Sequence, residues 1–145
     1  NTTASNQSHA EGYQTTASGP GSHAEGIYTQ SSGVSSHAGG QGTLAYKVKA
    51  NGVASFNHSN VSLNVNGANG DYSAVLGGQN SSANGTGTIV LGCNGVNGTQ
   101  DYTTYVKAIV LSGTTTPTLP EAGTIYFDGT NFLGYDGSSW KQLDN

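Results

Sequence analysis

Charged side chains are scarce in this 145-residue chain: four Lys or Arg and eight Asp or Glu leave a net charge of −4. With no cluster of Lys and Arg, the electrostatic footprint of a nucleic-acid binder is missing. Methionine is absent, cysteine occurs once and proline three times. The lone Cys93 cannot form an intrachain disulfide. It reads as a small buried apolar residue after Val90-Leu91-Gly92, or as one of three symmetry-related copies near an axis. No apolar run approaches the roughly 20 residues that a membrane helix needs, so no membrane insertion is expected. No amphipathic helical period is present either. Leu, Ile, Val and Phe together number 25, fewer than an isolated globule usually uses for its core. The sequence starts without Met or a signal peptide, and Asn1 falls inside a repeat, so the chain reads as a piece of something longer.

Gly, Asn, Ser and Thr fill the space that charge and bulk leave. These residues serve tight turns and backbone-dominated β-structure. A strongly charged chain with so little apolar content would read as disordered, but charge is missing here too. Inter-turn hydrogen bonds and small-residue packing are the expected source of stability, with partner chains burying the remaining surface. Seven Asn-x-Ser/Thr sequons occur, at Asn1, Asn6, Asn57, Asn60, Asn80, Asn84 and Asn97. In so Asn-, Ser- and Thr-rich a chain most of them arise by chance.

A short repeat organises the first two thirds. Ser8-His9-Ala10-Glu11-Gly12 returns as Ser22-His23-Ala24-Glu25-Gly26 and, at the same interval again, as Ser36-His37-Ala38-Gly39-Gly40. A fixed short period means that the backbone repeats one path and stacks its turns. Beyond Gly40 the interval lengthens, from Ser36 to Ser55 and from Ser55 to Ser73. That implies inserted loops, the first placed at Lys47 to Asn51. The pattern then returns at close to its original interval, in apolar form, as Ser73-Ala74-Val75-Leu76-Gly77 and Thr88-Ile89-Val90-Leu91-Gly92. Ala68-Asn69-Gly70 and Ala83-Asn84-Gly85 share that spacing. About six coils are expected from Thr2 to Gly98.

Four segments follow from this reading: repeats over 1–98, a closing strand or neck over 99–113 built on Tyr102 to Leu111, a Pro/Thr linker over 114–122, and a C-terminal module over 123–145. In the module Thr124 to Phe127, Phe132 to Tyr135 and Trp140 to Leu143 read as three short strands of a β-meander. Asp128-Gly129-Thr130-Asn131 and Asp136-Gly137-Ser138-Ser139 are its turns. Five of the chain's aromatics lie there, with Trp140 as the expected core anchor.

Ser-His-Ala-Glu-Gly and Ser-Ala-Val-Leu-Gly at this spacing resemble the head repeats of trimeric autotransporter adhesins of the YadA type, and similar repeats in phage and viral host-attachment fibres. The C-terminal Gly-Thr-Ile-Tyr-Phe-Asp-Gly…Gly-Tyr-Asp-Gly-Ser-Ser-Trp segment more weakly resembles short modules that end such fibres. The resemblance covers roughly Thr2 to Gly98 and implies an all-β left-handed parallel β-roll associating as a homotrimer. The coiled-coil stalk and membrane anchor of the bacterial proteins are not in this sequence.

Alternation along a strand places His9 and Glu11 on one side and Ser8, Ala10 and Gly12 on the other. Stacking at about 4.8 Å then aligns His9, His23 and His37 in a column beside Glu11 and Glu25. The column continues through Phe56 and His58 to Ala74, Leu76, Ile89 and Leu91. It is expected to face inward as a structural or interface ladder, polar at one end and apolar at the other. Three chemistries fit its polar end: a hydrogen-bonded ladder, zinc or nickel coordination by His9, His23 and His37 with Glu11 and Glu25, or pH-dependent association. The ladder is preferred, so no metal and no cofactor are expected.

No nucleophile motif or carboxylate pair stands out, so no enzyme is expected. Tyr126, Asp128, Asn131, Tyr135, Asp136 and Trp140 combine flat apolar surfaces with short polar groups, a composition suited to glycan contact. The other reading makes these aromatics the module's own core. Function is expected to be that of a structural and adhesive fibre segment, extracellular, on a virion or cell surface. Its partners would be copies of itself and a host-surface glycan or protein receptor. A self-assembling filament is the alternative. A Thr column at Thr15, Thr29 and Thr43 raises an ice-binding solenoid as a further one.

Overall fold

The computed structural model describes residues 2–5, 7–64, 67–111 and 116–143. The sequons at Asn1 and Asn6, residues 112 and 113 of the neck, and the first two linker residues lie outside them. Two compact units are present, Asn1–Lys107 and Ala108–Asn145. Strands occur throughout the described residues and helices do not.

In the first unit the chain visits two faces in turn. In order, the strands are β1 (Thr3–Ala4), β2 (His9–Ala10), β3 (Thr16–Ala17), β4 (His23–Ala24), β5 (Thr29–Ser31), β6 (His37–Gln41) and β7 (Val48–Ala50). Then come β8 (Phe56–Asn60), β9 (Ala74–Gln79), β10 (Ser82–Ala83), β11 (Ile89–Leu91), β12 (Asn97–Gly98) and β13 (Thr104–Tyr105). One face is a seven-stranded parallel sheet, β13-β11-β9-β8-β6-β4-β2. The other runs β1-β3-β5-β7 and passes through Ala68, bridged to both Ala50 and Ala83, into β10-β12. This is a parallel β-solenoid of about seven turns, one more than the repeat count to Gly98. Of the strand expected over Tyr102 to Leu111, only Thr104–Tyr105 pairs, and it forms the seventh rung.

The space between the faces admits only small side chains. Ala17, Ala24, Ala38, Val48, Ala50, Ala68, Val75, Ala83 and Val90 are fully buried, together with Thr29, Ser31 and Asn57. A core this thin explains how the chain folds with so few Leu, Ile and Phe. The Leu and Ile of this first unit, and most of its Tyr, are instead solvent-facing.

Each letter of the repeat acquires a cause. In the first three coils the Ser hydroxyls turn inward at a corner and donate to backbone carbonyls, as Ser36 does to Gly33 at 2.7 Å, whereas those of Ser55 and Ser73 are buried without a hydrogen bond. The Ala fills the core. The closing Gly is dictated by close approach: a Cβ on Gly12, Gly26 or Gly40 would lie 2.1, 2.2 and 2.1 Å from the carbonyl oxygen of the next coil, and all three have φ near +100°. In the first apolar coil Gly77 and Gly78 together oppose Ser59 in a β-bulge. Gly78 makes the close approach there, and Gly77 is the added residue.

The first inserted loop sits one element earlier than expected. Val48–Ala50 lies in β7, in register with Thr29–Ser31, and the five extra residues lie within Gly42 to Lys47. The strand propensity of Val48 and its alignment with the Thr column decide the register. Thr15 and Thr29 point into the core, while Thr43 belongs to the loop. The flat Thr array that ice binding needs is therefore not formed. Cys93 is buried and free, as a small core residue beside Val75 and Val90.

The second unit holds β14 (Ile125–Phe127), β15 (Phe132–Tyr135) and β16 (Trp140–Gln142), antiparallel and in sequence order. Its two tight turns fall where the Asp-Gly pairs predict. Asp128 Oδ1 accepts from the Thr130 and Asn131 amides, and Asp136 Oδ1 from the Ser138 and Ser139 amides, each at 2.8 Å.

Candidate functional site: an outward column of His, Glu and apolar side chains

The repeat column lies on the outer surface of the seven-stranded sheet. It is the alternate residues, Ala10, Ala24, Ala38, Asn57, Val75 and Val90, that face the interior. The expectation of an inward-facing column is thus corrected. A solenoid interior only wide enough for Ala and Val has no room for imidazoles, so the parity of the strand sends them out. His9, Glu11 and His58 are exposed, whereas His23, Glu25, His37 and Phe56 are half-buried by their neighbours. Leu76, Ile89 and Leu91 continue the column at 38, 36 and 47% exposure, an unusual display of aliphatic side chains in register.

Register brings the rings into contact. His9, His23, His37 and Phe56 pair along the sheet, with successive ring centroids 5.0, 4.7 and 4.6 Å apart. The first two contacts are edge-on, and His37 stacks on Phe56. The carboxylates link the rings into two groups. Glu11 lies 3.5 Å from His9 Nε2 and 4.0 Å from His23 Nε2. Glu25 lies 3.4 Å from His37 Nε2 and 3.7 Å from His58 Nδ1. Burial holds His37 below the ordinary histidine range, and the adjacent His23 adds to that effect. Each group, His9-Glu11-His23 and Glu25-His37-His58, gathers its ligand atoms within 4.8 Å.

Comparison with family models, curated proteins and solved structures finds no match. The site must therefore be read from its own geometry. No helix among the described residues is long and apolar enough to cross a membrane.

The residues expected to contact a glycan divide. Tyr126 is buried and packs against Trp140 at 5.6 Å, and Tyr135 also packs against Trp140, at 5.3 Å. These three build the small unit's own core. Tyr126, more than Trp140, is its anchor, because the central position of β14 turns it inward. Asp128 and Asp136 are held below the usual carboxylate range by the turn amides they accept from, which commits them to the turns. Asn131 bonds back to Asp128 and accepts from Gln142. The opposite surface carries Ile125 and Phe132, both exposed.

One feature of the first unit went unread in the sequence. Asn51, Asn69 and Asn84 form a side-chain ladder: Nδ2 of each donates to Oδ1 of the next at 2.6 Å, and Asn84 bonds on to Asn97. The signal was Ala50-Asn51-Gly52, a third copy of Ala-Asn-Gly hidden by the longer interval between Asn51 and Asn69. Asn57, nominally a sequon, is buried and bonded to the Lys49 carbonyl and to Ser59.

Proposed function

We propose that this chain is a structural and adhesive fibre segment that works as a homotrimer, without catalysis, outside the cell or on a virion. The observation that carries the reading is a pair of adjacent rows, Phe56-Ala74-Ile89 and His58-Leu76-Leu91, whose apolar side chains lie on the outer face of a sheet whose inner face is already filled. Exposed aliphatic residues at a fixed rise form a self-complementary stripe that a second copy of the same repeat can match rung for rung. The likeness of the repeats to trimeric autotransporter heads, with their left-handed rolls, favours three copies. The terminal β-meander, with Ile125 and Phe132 exposed, is the surface offered to a host glycan or protein receptor.

Sedimentation equilibrium tests the assembly. The expected mass is three times the 14.6 kDa of one chain, reduced to one in Ile89→Asp. A monodisperse monomer of the unaltered chain at high concentration would contradict the proposal. Binding to a glycan array and to host cells, with and without residues 123–145, tests the adhesive part. Retention of all binding without them would move the receptor surface to the solenoid. A segment that assembles but binds no surface would be an architectural filament.

A further inference from the structure

The third copy of the repeat reads Ser36-His37-Ala38-Gly39-Gly40, with glycine where the first two copies carry Glu11 and Glu25. Gly39 has no need of glycine for its own backbone, since the same rung holds Glu in two coils and His58 in the next. The space above it explains the residue. A Cβ on Gly39 would lie 2.7 Å from His58 Nδ1 and 3.1 Å from Glu25 Oε1. The missing side chain opens a gap in the carboxylate column. Across that gap Glu25 from one coil and His58 from two coils further on reach toward each other.

We propose that Glu25, His37 and His58 form a binding site for a divalent cation of the zinc class, complete within one chain. Both imidazoles converge on one oxygen, Glu25 Oε1, from 3.4 and 3.7 Å. Ligand atoms about 2.0–2.1 Å from a tetrahedral zinc ion stand roughly 3.3 Å apart, so two of the three edges already have nearly the required length. His37 Nε2 is shut off from solvent, and Glu25 Oε1, 3.4 Å away, does not have the geometry of a good hydrogen bond to it. A buried imidazole nitrogen without a hydrogen bond is costly unless something else occupies its lone pair. Two imidazole nitrogens and a carboxylate oxygen suit zinc, nickel or copper(II), not magnesium or calcium, which take oxygen ligands. Three protein ligands leave a fourth position to water. A groove of about 470 Å³ bordered by Glu11, Glu25, Gly40 and His58 gives the ion a path in. The His9-Glu11-His23 group is a weaker competitor. Its His23 Nε2 is likewise without a hydrogen bond, but its His9, Glu11 and His23 side chains are 66, 59 and 36% exposed, against 25, 32 and 53% for His37, Glu25 and His58.

Isothermal titration of the tag-free full chain with Zn²⁺, with Mg²⁺ and Ca²⁺ as controls, tests the site. One high-affinity Zn²⁺ per chain is expected, with thermal stabilisation that EDTA removes. Gly39→Ala should weaken Zn²⁺ binding by at least about tenfold while leaving the EDTA-treated protein folded, since its Cβ meets movable side-chain ends. His58→Leu, which copies the Leu76 rung, should do the same and serves should Gly39→Ala fold poorly. Absence of Zn²⁺ binding would overturn the proposal. So would binding that survives both substitutions, or that His9→Gln abolishes. None of these readouts depends on the oligomeric state.

Discussion

The two units solve the same shortage of large apolar side chains in opposite ways. The solenoid brings backbone against backbone, so that its interior is a stack of Ala, Val, Ser and Gly. The C-terminal unit commits five aromatics to three antiparallel strands, with Tyr126 and Trp140 at the centre. In the first, stability resides in the path of the main chain; in the second, in a few bulky contacts. The solenoid should therefore be intolerant of a single methyl group at its corners and indifferent to most of its surface. The small unit should behave the other way round.

The largest effect expected is at the corner glycines. Gly19, Gly33, Gly52 and Gly70 stack so closely that a Cβ on each would lie 2.0–2.1 Å from the next glycine's carbonyl oxygen. Backbone on both sides cannot give way, so Gly33→Ala should cost about 3 kcal/mol or more in chemical denaturation. Gly129→Ala, in an open turn of the second unit with only its φ of +98° to oppose it, should cost about 1 kcal/mol. Equal costs would erase the contrast. Next in size is Val75→Ala, which empties part of the thin core and should cost about 2 kcal/mol.

A smaller change should act in the opposite direction. The left-handed corner position that coils fill with Gly21 and Gly87 is held by Ala54 at φ +50° and by Tyr72 at φ +58°. Ala54→Gly should stabilise the solenoid by up to about 1 kcal/mol, seen as a raised melting temperature, because it relieves that strain.

Acidification in EDTA should separate the units by pH window. His37 binds its proton less readily folded than unfolded, so its contribution is complete above about pH 6.5 and falls as pH drops through the lowered folded value. Asp136 and Asp128 are depressed carboxylates, whose contribution is complete above about pH 4 and lost only below it. Hydrogen exchange followed from pH 7 to 4 should show solenoid amides losing protection first. His37→Gln should flatten that early phase, and a single common transition would contradict it.

Much of this architecture was legible in the residues themselves. The evenly spaced return of Ser-His-Ala-Glu-Gly specifies stacked parallel strands, and the Asp-Gly pairs mark both turns of the second unit. Strand parity separates His9 from Ala10 but does not say which side is the interior. That depends on the width of the coil, a property of the closed path and not of any one strand. The insertion at Gly42 to Lys47 was displaced for a related reason, since Val48 takes its place from the distant Thr29. The approach of Glu25 to His58 joins residues far apart in the chain through an absence at Gly39, and no local pattern announces an absence.

The uneven loops have a consequence for how the chain finds its fold. Identical coils could pair one rung out of step at little cost, with His9 beside His37 in place of His23, trapping a shorter solenoid. The longer coils around β7 and β8 break that translational degeneracy. A slipped coil would force the Gly42 to Lys47 loop into a corner where only a tight turn fits. The irregular coils thus act as an index mark that distinguishes the native register from its slipped alternatives.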